Sequence, residues 1–134
     1  WLARAAAPLI RPDTLVAPVP LHWQRLFRRR YNQSALLGAA LAGRIGRAHC
    51  PDLLLRTRHT GTQDGRTRDG RFDNLAGAIR VDPRRVALVE GRHVLLVDDV
   101  MTSGATLAAC AGACFAAGAD AVDVVVLARV TRDR

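Results

Sequence analysis

The feature that most constrains the fold is a continuous apolar run that ends in two adjacent carboxylates, His93 to Asp99 (HVLLVDD). A run of this kind, without alternating polar residues, is typical of a strand that is buried on both faces of a parallel sheet. A second run, Ala121 to Val130 (AVDVVVLARV), has the same character. Between them, Ala105 to Gly118 predicts a helix that ends at a glycine. This strand–helix–strand unit predicts an α/β fold with an open, mostly parallel sheet flanked by helices.

The N-terminal half of the chain repeats the pattern. Thr14 to Pro20 predicts a short strand interrupted by prolines, and Asp52 to Thr57 predicts a second strand. Gln33 to Arg47 predicts the helix between them, and one apolar stripe contains Leu36, Leu37, Ala40, Leu41 and Ile45. Residues 1–134 are therefore expected to form one domain, because the length suits a single core.

A polar segment separates the two halves. Thr57 to Asp73 is rich in Gly, Arg and Asp and has no hydrophobic period. Long irregular segments in compact domains are usually functional lids or disordered. We expect a flexible lid at about residues 57–73.

Charge and cysteine content limit the possible functions. The formal net charge is +8, and all 20 basic residues are arginines. Nucleic-acid binding is possible but not favoured, because the arginines cluster only at Arg28–Arg30 and aromatic side chains make up only 4% of the chain. No apolar run is long enough to span a membrane. Three cysteines without a secretory context predict reduced thiols and a cytoplasmic protein, with Cys110 and Cys114 buried on a helix.

The residues after the acidic pair suit an anion. Gly104 allows a positive φ or a close approach of the backbone to a ligand. The amides at the start of the following helix, at the positive end of its dipole, favour a phosphate. The hydroxyls of Thr102, Ser103 and Thr106 can donate to the same oxygens. Asp98 and Asp99 would repel a phosphate but can accept hydrogen bonds from vicinal hydroxyls, so the stretch predicts a ribose 5-phosphate site.

Other anion-binding motifs do not fit. A P-loop requires a lysine, and the chain contains none. A dinucleotide fingerprint is missing after the first strand. A phosphoryl-aspartate enzyme of the D-x-D type needs carboxylates two positions apart, whereas Asp98 and Asp99 are adjacent.

The acidic pair with its hydroxyl-rich loop resembles the signature of the type I phosphoribosyltransferases, which bind 5-phosphoribosyl 1-diphosphate (PRPP). Nearly the whole chain from Val16 resembles the ComF family of competence-associated proteins. The matching stretches, in chain order, are APVPLH, RRYNQSALL, RTRHTGTQ and RFDNLAGAIRV. Gly61 and Thr62 stand where that family has two prolines, and Arg30 stands where glycine is usual. Family members often carry an N-terminal zinc module; its absence, and a chain that starts at Trp1, predict a truncated form.

The resemblance implies a role for each site residue. Asp98 and Asp99 would hold the ribose hydroxyls and stabilise positive charge on the ring in the transition state. The loop Val19 to His22, chiefly Val19 and Pro20, would face the diphosphate. The residues that would surround the 5-phosphate are Thr102, Ser103, Gly104, Ala105 and Thr106. Cations for the diphosphate would come from Arg29 or Arg30 and from Arg56 or Arg58. Mg²⁺ would be carried by PRPP near the acidic pair, without a direct protein ligand.

Two functions remain open from the sequence. The first is an enzyme that transfers phosphoribosyl from PRPP to an unidentified nucleophile, and the sequence leans towards it because the arginines of the lid favour catalysis. The second is a PRPP-binding sensor or scaffold in DNA uptake that does not turn over. Thr102 stands where enzymes that salvage 6-oxopurines have an acidic residue, so we expect no such salvage. The resemblance leaves a homodimer open and gives no role for Gln63, Arg71 and Asn74.

Overall fold

The structure, a computed structural model, describes residue 4 and residues 6–20, 33–56, 79–101 and 104–129. Six strands are present in this part of the chain: β1 Leu15–Pro18, β2 Ala48–His49, β3 Leu54–Arg56, β4 Ile79–Val81, β5 His93–Met101 and β6 Ala121–Arg129. Three α-helices accompany them: α1 Gln33–Ile45, α2 Val86–Val89 and α3 Ala105–Ala116, with short 3₁₀ turns at Ala7–Leu9 and Pro83–Arg85. None of the described helices is long and apolar enough to cross a membrane.

The central sheet is parallel, as the sequence predicts. Its four strands lie in the order β2-β1-β5-β6. β5 is one of the two inner strands, paired with β1 from Leu15↔Val94 to Pro18↔Val97 and with β6 on its other side. The long apolar run therefore occupies a central position of the sheet, where a strand is covered on both faces.

Alternate residues of β5 face two separate clusters of the core. Val94 and Leu96 pack with Cys110 and Cys114 of α3. Leu95 and Val97 pack on the opposite face with Leu41 of α1. Helices thus cover both faces of the sheet, and the period of two along the strand assigns each apolar side chain to one of them.

The second predicted strand of the N-terminal half pairs differently from our expectation. Leu54–Arg56 does not join the parallel sheet; it forms a two-stranded antiparallel sheet with β4. The parallel neighbour of β1 is instead β2, which is only two residues long and gives no hydrophobic pattern to read. Arg56 and Ile79 are paired, so the chain leaves and returns at neighbouring positions. Residues 57–78, including the predicted lid, lie outside the described residues.

The predicted apolar stripe of α1 is partly wrong. Leu36 is 54% exposed and Ala40 is exposed, whereas Leu41 is buried. The helix is rotated because Gly38 packs against the imidazole of His49 in β2: a Cβ at Gly38 would lie 2.8 Å from the imidazole Nε2. A small residue allows this close approach, and the buried face follows it.

A buried hydrogen-bonded chain anchors the amino end of β5. His93 is fully buried; its Nδ1 lies 2.6 Å from the Thr14 hydroxyl and its Nε2 lies 2.8 Å from a carboxylate oxygen of Asp123. The Thr14 hydroxyl oxygen also accepts a hydrogen bond from the amide of Arg11 at 2.8 Å. With a neutral imidazole, every group is satisfied when Thr14 donates to Nδ1 and Nε2 donates to Asp123. These hydrogen bonds join the segment before β1 to β5 and β6.

Candidate functional site

The predicted ligand-binding residues meet at the carboxyl edge of the central sheet. The amide of Val19 donates to the carbonyl of Val97 at 2.9 Å, which continues the pairing of β1 and β5 past Pro18. Val19 and Pro20 therefore lie beside Asp98. Ligands of open parallel sheets bind outside the carboxyl ends of the strands, so this edge is where a site is expected.

The acidic pair lies within a strand and not in a loop. β5 continues through Asp98 and Asp99 to Met101, and Asp98 pairs with Val126 of β6. The Asp98 side chain is half-buried, and one of its oxygens accepts a hydrogen bond from the Ser34 hydroxyl at 3.2 Å. For Asp99 the structure describes the backbone only. The strand pairing fixes the backbone of both acids before any ligand is bound.

The start of α3 has the geometry that the sequence predicts for an anion site. Gly104 has φ +85°, a left-handed conformation that favours glycine, and it precedes the first helical residue, Ala105. The Gly104 carbonyl accepts the first helical hydrogen bond, from the amide of Ala108 at 2.9 Å. The amides of the first turn, which includes Thr106, form the positive end of the helix dipole. This end points to the same edge as the acidic pair, because α3 follows β5 directly.

Arg56 and Asp98 are both within electrostatic reach of one buried thiol. The pKa of Cys110 is raised to about 12, mainly because burial disfavours the thiolate, and neighbouring Cys114 adds to the rise. The Asp98 carboxylate also raises this pKa, whereas the Arg56 guanidinium lowers it. Arg56, at the end of β3, and Asp98 therefore both lie close enough to Cys110 to affect its pKa. The thiols of Cys50, Cys110 and Cys114 are free and buried, in line with the sequence prediction.

The structure describes eight of the 13 predicted site residues. Seven of them lie at one edge of the sheet, namely Val19, Pro20, Asp98, Gly104, Ala105, Thr106 and the backbone of Asp99. The eighth, Arg56, is the last residue of β3. Outside the described residues lie Arg29, Arg30, Arg58, Thr102 and Ser103, together with Gln63, Arg71 and Asn74. Their predicted roles stay predictions.

Ser34 is a residue of this edge that sequence reasoning missed. Its hydroxyl contacts an acid 64 positions away, and no local pattern signals such a contact. A serine in the first turn of a helix is ordinarily explained by helix capping. Only the pairing of β1 with β5 brings the start of α1 close to Asp98.

The described residues do not contain a ready metal-binding cluster. No group of three or more His, Cys, Asp or Glu side chains there could hold a metal ion. Carboxylate oxygens, such as those of Asp98, are nevertheless the hard ligands that Mg²⁺ prefers, usually with several waters retained. The residues at this edge therefore fit a Mg²⁺ ion that arrives with a polyphosphate ligand.

An apolar groove lies elsewhere on the molecule. It has a volume of about 480 Å³ and runs along α3 beside β4 and α2. Small apolar side chains such as Ala108, Gly112 and Ala113 line it, with Arg80 contributing the charged group. None of the predicted site residues is part of its lining.

The parallel sheet and the helix that follows its acidic strand define a known class of fold. A solved structure of the allosteric regulatory enzyme of purine biosynthesis superposes with a TM-score of 0.57 at 22% identity, covering 94% of this chain and 24% of that one. A likeness at this identity shows the fold alone, which is that of the type I phosphoribosyltransferases. The sequence-based prediction of the fold is confirmed.

The chain belongs to the phosphoribosyl transferase domain family, whose model matches residues 52–134. A DNA utilization protein YhgH from Salmonella typhi is 38% identical over 128 residues, covering 96% of this chain and 54% of the relative. Competence protein F from Haemophilus influenzae is 35% identical over 105 residues, covering 78% of this chain and 45% of the relative. The predicted resemblance to the ComF proteins is confirmed. The chain spans about half the length of these curated relatives.

Proposed function

We propose that this chain binds PRPP at the carboxyl edge of β1 and β5 and transfers its phosphoribosyl group to a nucleophilic acceptor. The observation that carries the proposal is the convergence of Val19, Asp98 and Gly104 on one edge. The family assignment supports PRPP as the ligand. The names of the relatives support a link to DNA uptake or utilisation.

Each part of the edge suits a different part of PRPP. The first turn of α3, after Gly104, suits the 5-phosphate, because its amides and dipole attract an anion. Asp98, with Asp99, suits the ribose diol, because carboxylates accept hydrogen bonds from hydroxyls. The segment after β1 at Val19 and Pro20 lies where the diphosphate is expected. The family resemblance assigns Arg56, at the end of β3, as a source of positive charge for the same group.

The same acids fit the chemistry of transfer. When the bond from C1 to the diphosphate breaks, positive charge develops on the ribose ring, and fixed carboxylates stabilise that charge. A strand position, rather than a loop, keeps the Asp98 backbone in place during this step. When bound, Mg²⁺ would neutralise charge on the diphosphate beside the acidic pair. In this proposal Thr57 to Asp73 closes over the site and excludes water.

Calorimetric titration with PRPP, with and without Mg²⁺, tests the binding step. The wild type is expected to bind PRPP more tightly with Mg²⁺, and Asp98→Asn is expected to weaken binding while the protein stays folded. Equal affinities of the two proteins for PRPP would contradict the proposed site. Incubation with PRPP, Mg²⁺ and a panel of nucleobases then tests transfer, and hypoxanthine and guanine are expected to give no nucleotide.

The second candidate function is a PRPP sensor or scaffold without turnover. Its support is that the two relatives described above are named for DNA utilisation and competence and not for an enzyme activity. A further relative, from Frankia casuarinae, is 35% identical over 103 residues and is named adenine phosphoribosyltransferase, which supports the enzyme instead. Slow breakdown of PRPP by the wild type that disappears in Asp99→Asn would favour the enzyme. PRPP binding without any breakdown, across the acceptor panel, would favour the sensor.

DNA binding through the arginines has less support. Five described arginines donate to acids or to backbone carbonyls: Arg11 to Asp120, Arg84 to Asp82, Arg85 to Asp52, Arg47 to the carbonyls of Arg11, Ile45 and Gly46, and Arg92 to those of Asp13 and Leu88. These contacts explain part of the basic composition as local structure. DNA affinity that falls steeply with salt and survives Asp98→Asn would favour this alternative.

A further inference from the structure

Ser34 stands out because a buried hydroxyl is aimed at a half-buried carboxylate of the candidate site. Ser34 is 2% exposed, and its Oγ donates to Oδ1 of Asp98 at 3.2 Å. Serine is frequent at the start of helices, where it is usually exposed and caps the backbone. Here the hydroxyl joins the first turn of α1 to the carboxyl end of β5.

We propose that Ser34 is the positioning residue for Asp98: it orients this carboxylate towards the ribose diol. The inference rests on the proposed function and adds a residue to that same site. A carboxylate on a strand has two rotatable side-chain bonds, so a fixed backbone does not by itself fix its oxygens. A donor on a neighbouring element restricts that rotation before the ligand arrives, which reduces the ordering cost of binding.

The length of the hydrogen bond agrees with a positioning role. Oxygen–oxygen hydrogen bonds are most often about 2.7–2.8 Å long, and those to carboxylates are shorter still. The observed 3.2 Å is therefore a weak contact that orients Asp98 and still lets its oxygens adjust to the hydroxyls of a sugar. Loss of the Ser34 hydroxyl is then expected to reduce affinity for the diol by a modest factor and not to abolish it.

The same contact joins the start of α1 to the strand that carries the acid. α1 follows β1, whose end lies beside Asp98, and α3 follows β5, which carries Asp98. Both helices direct their N-termini to the carboxyl edge of the sheet. The Ser34 hydroxyl contacts the acid from the first turn of α1.

The test compares ribose 5-phosphate with 2-deoxyribose 5-phosphate in the wild type and in Ser34→Ala. The two ligands differ in the hydroxyl that completes the diol, so their affinity ratio reports on the acid and not on the phosphate contacts. Alanine is tolerated in a helix and removes only the buried hydroxyl, so the variant is expected to fold. In Ser34→Ala we expect affinity for ribose 5-phosphate to fall roughly three- to tenfold and affinity for the deoxy sugar to change less than twofold. The reason is that the Ser34 hydrogen bond orients the charged Asp98 towards the diol, which only ribose 5-phosphate has.

A double-mutant cycle with Asp98→Asn provides a readout that a merely structural role would not change. In Asp98→Asn, adding Ser34→Ala is expected to leave the affinity ratio of the two sugars unchanged, because the hydroxyl acts through the carboxylate.

The outcomes separate the two proposals. If the wild type binds neither sugar phosphate nor PRPP, the proposed function fails. If the wild type prefers ribose 5-phosphate and Ser34→Ala keeps the same preference, the role of Ser34 is refuted and the proposed function stands. If Ser34→Ala weakens both sugars equally, the residue is structural, which also overturns the inference.

Discussion

Gly104→Ala tests whether the left-handed residue before α3 serves a ligand or only the fold. Gly104 has φ +85°, and a Cβ built on it meets no described heavy atom within 4 Å. The cost to folding therefore comes from backbone strain alone, which is about 1–2 kcal/mol for an L-residue in this region. For a chain of this size that corresponds to a fall in melting temperature of roughly 3–6 °C.

The effect on ligand binding is expected to be larger. If the backbone after Gly104 approaches a phosphate, the added methyl group displaces one of its oxygens and weakens a hydrogen bond to a charged group, which is worth about 1.5–3 kcal/mol. At about 1.4 kcal/mol per factor of ten, the dissociation constant for ribose 5-phosphate rises at least about tenfold. Isothermal calorimetry measures this constant, and thermal unfolding measures the strain.

Gly91→Ala is the matched control. Gly91 has φ +68° and likewise has no described atom within 4 Å of a built Cβ, but it precedes β5 at the opposite edge of the sheet. The same loss of stability is expected there, with no loss of affinity. If both variants bind ribose 5-phosphate as the wild type does, the reasoning that places an anion at the start of α3 is refuted.

Three further predictions concern stability and the antiparallel pair. His93→Ala removes the imidazole that Thr14 and Asp123 contact and creates a cavity. The free energy of unfolding, measured with urea, is expected to fall by about 3 kcal/mol, with ribose 5-phosphate binding unchanged. A fall below about 1 kcal/mol would contradict the anchoring role of these hydrogen bonds. Hydrogen bonds from Arg84 hold the pKa of Asp82 at about 2, below its unfolded value, so the stability that Asp82 contributes is lost as pH falls from about 4 to about 2. Asp82→Asn is expected to flatten acid unfolding in that window, and an unchanged profile would refute this. Residues 57–78 can be replaced by Asn-Gly, which closes the Arg56–Ile79 pair as a tight hairpin. This variant is expected to unfold cooperatively but no longer to break down PRPP. Breakdown at the wild-type rate would exclude a catalytic role for the replaced segment.

The strongest hydrophobic patterns predicted their elements well. β5 and β6 are long apolar runs, and α3 ends just before Gly118, which has φ +101°. Such runs can be assigned as strands from the sequence alone, because a strand covered on both faces has almost no polar positions. The candidate site at the end of β5 was predictable for a related reason: two adjacent acids have few structural explanations at the end of such a run.

The remaining features depend on contacts between distant parts of the chain. β2 has two residues and β3 has three, too few for any period, and whether a short strand joins one sheet or another is decided by packing. The orientation of α1 follows from the contact of Gly38 with His49, and the contact of Ser34 with Asp98 arises only after β1 pairs with β5. The role of His93 had a usable signal, because a polar residue opens one buried run and Asp123 interrupts the other.

β5 carries a structural anchor at one end and the proposed chemistry at the other. His93 is fully buried at its start, and Asp98 lies roughly 16 Å along it, at about 3.3 Å per residue. Mutations at well-separated positions usually have additive effects. Substitutions around Asp98 can therefore accumulate over evolution without endangering the fold, so the same scaffold tolerates change at the proposed site.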